Sequence, residues 1–205
     1  TPIHILDENG EYQNIEEPTS ELSTEETIST YVSEAAELYN SMSNVSTYSR
    51  NTNENDILVN NSSASIMCFN NSGIDNSGYY VHGSNQGNRI VCIKPENIPG
   101  NILVTSAKMN ANALGVGKTV NNYILVRQIV SAWDANSTVK PSVKINYFDC
   151  IAVPKSTATT SVSCDITHLM NAWQMGKEAN YGFALTTKKT NCNVSLSGIT
   201  LSYYY

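Results

Sequence analysis

From Leu58 onward the sequence is interrupted at short intervals by clusters of Asn, Gly, Ser and Pro, such as residues 70–78 (NNSGIDNSG) and 95–101 (PENIPGN). Such clusters are turn chemistry. The runs between them are short and rich in β-branched and aromatic residues: 64–69, 78–83, 88–94, 104–114, 122–129, 142–153, 160–166, 181–187 and 195–204. Runs of that length and alternation read as strands. Eight or nine strands in one chain of 205 residues pack as two sheets, so the predicted fold is all-β, a jelly-roll-type antiparallel β-sandwich.

One stretch breaks the pattern. After Asp165 the apolar residues Ile166, Leu169, Met170 and Trp173 recur at i, i+3, i+4 and i+7, the stripe of an amphipathic helix. Asp165 is placed to cap it and Gly176 to end it. Two turns cannot stand alone in water, so burial of the stripe must hold this helix. It is expected to close one end of the sandwich, with Trp173 in the core. His168 falls on the opposite face with no second ligand residue three or four positions away, and so reads as solvent-facing.

Charge divides the chain. Residues 1–49 carry ten carboxylates and no Lys or Arg, a balance of −10, while the remainder carries 12 basic and 8 acidic residues, +4. Two regions are expected, 1–56 and 57–205. In the first, alternation around Glu8-Asn9-Gly10 predicts a β-hairpin over residues 2–16. Ser23 and Glu26 then begin a capping box for a helix near 24–40, which competes with an acidic linker reading. The opening Thr1-Pro2-Ile3-His4 has neither an initiator Met nor a leader, so a piece of a longer protein is expected.

Several chemistries are disfavoured. A net charge of −6 lacks the basic footprint of a nucleic-acid binder, and no apolar run is long enough to cross a bilayer. Cys68, Cys92, Cys150, Cys164 and Cys192 stand singly without zinc spacing, which leaves buried thiols or cross-strand disulfides open. Gly117-Lys118-Thr119 lacks the Gly that a phosphate loop needs at position 112, which is Asn112. No nucleophile elbow or Cys–His pairing points to catalysis. No cofactor is expected, with structural calcium on Glu54, Asp56, Asp75, Asp134 or Asp149 a minor alternative.

Residues 57–205 resemble the bacterial DNRLRE domain family, which is grouped with carbohydrate-binding modules of the alginate-binding type and related to disaggregatase-type repeats. The matching segments are residues 87–113, including Asn88-Arg89-Ile90-Val91, then 122–134, and above all 164–185. In the last, Asp165, Thr167, Trp173, Gly176, Asn180 and Gly182-Phe183 fall at the family's spacing. The resemblance implies a non-catalytic module of an extracellular or cell-surface bacterial protein, including RHS-type proteins. Its partner would be a polysaccharide or, alternatively, other domains of the parent protein.

Binding an anionic or plant or algal polysaccharide on one sheet face would need aromatic rings for sugar faces and cations for acidic groups. Tyr80, Arg127, Lys144 and Tyr147 are the candidate binding residues, with Tyr79, Tyr123 and Phe148 further aromatic groups on predicted strands. For each Tyr, cross-strand packing is the competing reading. Trp133 and Trp173 match framework positions of the family and are expected in the core.

Overall fold

The computed structural model describes residues 57–116 and 121–205, with the backbone of two short strands nearer the N-terminus. Contacts divide the chain into two units, Thr1–Asn55 and Asp56–Tyr205. In the first, β1 (Ile5–Leu6) pairs antiparallel with β2 (Tyr12–Gln13), Ile5 facing Gln13 and Leu6 facing Tyr12. This is the pairing expected around Asn9-Gly10. The helix expected near residues 24–40 and the segment Gly117-Lys118-Thr119 lie outside the described residues.

The second unit is an antiparallel sandwich. It contains β3 (Leu58–Val59), β4 (Ala64–Asn70), β5 (Gly73–Ile74), β6 (Tyr79–His82), β7 (Ile90–Pro95), β8 (Ser106–Gly115), β9 (Asn121–Gln128) and β10 (Asp149–Pro154). Beyond these come β11 (Thr160–Asp165), helix α1 (Thr167–Gln174), β12 (Phe183–Thr186) and β13 (Asn193–Tyr204). One sheet runs β10-β9-β12-β7-β4-β5. The other runs β11-β8-β13, and the far edge of β13 is shared by β6 and β3. All nine predicted runs contain a strand. The two-residue strands β3 and β5 are additional.

Alternation along the strands builds the core. Ala107, Met109, Ala111 and Ala113 of β8 point inward while Lys108 and Asn112 are exposed. Ile124 and Val126 of β9, Phe183 and Leu185 of β12 and Val91 and Ile93 of β7 meet them from the opposite sheet. Each such large side chain contributes about 1.5–3 kcal/mol by leaving water. The outer face of the six-stranded sheet is also partly covered. Ile129, Trp133 and Val143, from the segment joining β9 to β10, pack on Phe69, Ile90, Cys92 and Ala184. Both tryptophans are buried, and the Trp133 indole N–H donates to the Tyr181 carbonyl at 2.7 Å. Gly182 makes this possible: its φ of +82° suits glycine, and a Cβ there would lie 2.1 Å from the Ile93 carbonyl oxygen.

Helix α1 forms over the expected stretch, with Ile166 rather than Asp165 at its N-cap. Ile166, Leu169, Met170 and Trp173 are all buried. Asp165 accepts hydrogen bonds from the Thr167 amide (2.8 Å) and hydroxyl (2.6 Å). The chain leaves the helix through Gly176 at φ +65°. Buried Asn171 clamps the helix to the strand layer, its amide pairing with both the N–H and the carbonyl of Val104 at 2.9 Å. At the opposite edge the Ile57 amide donates to the Tyr205 carbonyl (2.8 Å), and the Tyr205 amide donates back (3.2 Å).

One expected strand is corrected. Residues 142–153 alternate throughout, yet regular pairing begins only at Asp149, preceded by a single bridge between Val143 and Ile129. Ile145 and Tyr147 find no sheet face to cover and remain 82% and 54% exposed. All five cysteines are free thiols, four of them buried. Burial raises the thiols of Cys68, Cys92, Cys164 and Cys192, which therefore act as small apolar side chains.

Candidate functional site

Strand β9 turns Ile124 and Val126 into the core, so Tyr123, Leu125 and Arg127 occupy the outer face of the six-stranded sheet. Beside Arg127 the register of the flanking segment slips. Ile129 faces Val143 but Val126 faces Asp149, so three steps on β9 oppose six on its neighbour. The three extra residues, Ile145, Asn146 and Tyr147, form an exposed arch. Its stems are fixed by hydrogen bonds from the Lys144 amide to the Gln128 carbonyl and from the Phe148 amide to the Val126 carbonyl, both 2.9 Å. Bulges of this kind re-aim side chains beside binding sites.

Arg127 is the chemically unusual member. Its Nε and Nη2 are buried and have no hydrogen-bond partner among the described residues. These two N–H groups form one side of the planar guanidinium, a fork that matches the two oxygens of a carboxylate. Burial lowers the Arg127 guanidinium from its ordinary value, but arginine stays charged. A buried donor without an acceptor is costly, and an anionic ligand would relieve that cost once the groups covering Nε and Nη2 move aside. Four residues along the same strand face, Tyr123 is 40% exposed, with the Lys189 ammonium 5.2 Å from its ring centroid.

Three of the four sequence candidates come to this stretch. Arg127 lies on the sheet face and Tyr147 on the arch. Lys144 stands at the arch's first stem, where its ammonium is 3.0 Å from Glu178 Oε1 rather than free for a ligand. Gln128 donates to the other Glu178 oxygen, and these two donors hold the Glu178 carboxyl below its ordinary value. Tyr80 lies elsewhere, on β6 of the other sheet, its ring against His82 (5.2 Å) and beneath the Arg89 guanidinium (5.7 Å). Sequence reasoning weighed Tyr123 without selecting it and missed Lys189. The odd-numbered parity of Tyr123 and Arg127 was a usable signal, whereas the approach of Lys189 depends on the turn after β12.

A second polar cluster is structural. Arg89 pairs through Nε with Asp75, and its Nη1 donates to His82 Nδ1 at 2.9 Å and to the Gln86 carbonyl at 3.3 Å. The same His82 Nδ1 lies 3.0 Å from the Gln86 carbonyl, and burial lowers the imidazole from its ordinary value. Asp75 also receives the Ser77 amide (2.9 Å) and hydroxyl. It borders a cleft of about 280 Å³ floored by Ile66, Cys68 and Ile74, but its oxygens are already engaged. Ser77 first and then Arg89 hold the Asp75 carboxyl far below the ordinary range. Because the folded value is depressed, this stabilisation is complete above the ordinary Asp value of about 3.9 and disappears as pH falls. Urea midpoints measured from about pH 5 to about pH 2 should fall less steeply in Asp75→Asn than in the parent.

Among the described residues no three or more His, Cys, Asp or Glu side chains gather as a metal site. Asp134 and Asp149 accept from nearby backbone amides, those of Asn136 (2.8 Å) and Cys150 (2.7 Å). No described helix is long and apolar enough to cross a membrane. No protein-family model and no curated protein matches the chain.

Proposed function

We propose that residues 57–205 are a non-catalytic carbohydrate-binding module of a larger extracellular bacterial protein, and that it holds an anionic polysaccharide along the outer face of β9. The observation that carries this reading is the buried, unpartnered fork of Arg127 beside the exposed arch. Exposed by a shift of the groups that cover it, the fork would supply two donors for an acidic sugar. Tyr147 and Tyr123, both exposed, offer aromatic faces for sugar rings. The resemblance of residues 164–185 to the DNRLRE family points the same way. In this reading the module binds without catalysing, with His82 between Arg89 and the Gln86 carbonyl and the His168 ring edge-on against Phe148 at 4.9 Å.

A spacer or interaction module without a glycan ligand is the second reading, and the other sheet favours it. Its outer face carries Asn110, Asn112, Ser161 and Ser163 around a shallow groove of about 290 Å³, with no aromatic ring among the lining residues. Affinity electrophoresis against alginate, pectin and a neutral polymer separates the two. Retardation on a polyuronate, weakened by added salt and lost in Tyr147→Ala, is the expected result. Migration unchanged on every polymer would leave the spacer reading.

A further inference from the structure

The helix that closes the sandwich and the turn that follows it reach the arch at both stems. At the first stem, Lys144 pairs with Glu178 on the turn that follows α1. At the second, Phe148 meets the ring of His168 on α1 itself. Gln128, only 7% exposed, completes the junction by donating its side-chain amide to the second Glu178 oxygen while its backbone carbonyl accepts from Lys144. Both oxygens of one carboxylate are thus divided between β9 and the arch.

We propose that Glu178 is a positioning residue for the β9 site: it holds the Ile145–Tyr147 arch in place beside Arg127, so that ligand affinity depends on a residue that need not touch ligand. This deepens the polysaccharide reading and rests on it. Lys144 then acts through Glu178 rather than as a ligand cation. An isolated exposed ion pair is worth little. Here the pair closes a three-member junction with a buried amide, and a site whose platform is already ordered avoids the entropy of ordering it on binding.

Two variants and two readouts test this. In Glu178→Ala, amide hydrogen exchange at Lys144 and Phe148 should accelerate while exchange within β12 stays unchanged, and Kd for a polyuronate should rise roughly tenfold. The charge-reversed pair Lys144→Glu with Glu178→Lys should restore much of both. Exchange at Lys144 and Phe148 that does not change in Glu178→Ala overturns the proposal, as does faster exchange with an unchanged Kd. A parent protein that binds no polymer overturns the polysaccharide reading instead, and exchange alone then decides whether Glu178 holds the arch.

Discussion

Arg127→Met should abolish retention on a polyuronate and leave the protein at least as stable as the parent. The two effects have one cause. Hydrogen bonds to charged groups contribute about 1.5–3 kcal/mol each, so losing a two-pronged contact weakens binding by more than tenfold. In the unliganded protein the same two nitrogens are buried without acceptors, and replacing them by an apolar side chain of similar length removes their desolvation cost. Arg127→Lys should also fail to bind, because an ammonium offers a point charge in place of the planar fork. Thermal unfolding with and without polyuronate reads both sides, since a ligand that binds only the folded state raises the midpoint of the parent but not of the variant. A large loss of stability in Arg127→Met without ligand would show that the guanidinium serves the fold, and would remove the main support for a site on β9.

Trp173→Ala should be among the most damaging single substitutions, at about 3–5 kcal/mol. Total stabilities of domains are only about 5–15 kcal/mol, so much of the fold's margin would go. Trp173 is 8% exposed, and with Ile166, Leu169 and Met170 it forms the buried stripe of α1. An eight-residue helix has no stability of its own. The Trp173 indole N–H has no partner among the described residues, so what is lost is packing rather than a hydrogen bond. Trp173→Phe should therefore be far milder. Urea unfolding of both variants measures the difference, and equal losses would mean that the indole makes a contact beyond its apolar area.

The helix was legible because four apolar residues at helical spacing and a glycine stop agreed within one short stretch, although the cap falls at Ile166 and Asp165 instead braces the turn before it through Thr167. The sandwich was legible for a similar reason, each run having its own alternation and its own turn residues. Residues 142–148 misled because alternation records only that one face is apolar, not that a sheet waits to cover it. At the site, Arg127 could be chosen from its place on a predicted strand. The Lys144 pairing was not legible because Glu178 lies 34 residues away, across the fold. The setting of Tyr80 was equally hidden: the Arg89 that covers its ring is near in sequence, but the stacking arises only when β6 and β7 turn back on each other.

The reciprocal hydrogen bonds between Ile57 and Tyr205 place the two ends of the sandwich side by side on adjacent antiparallel segments. Tension applied between these points would pull across the strands rather than along them. The backbone hydrogen bonds of β3 and β13 would then break in succession, like the teeth of a zipper, with no moment at which a whole row shares the load. Under such a load this edge would yield at low force, one hydrogen bond at a time.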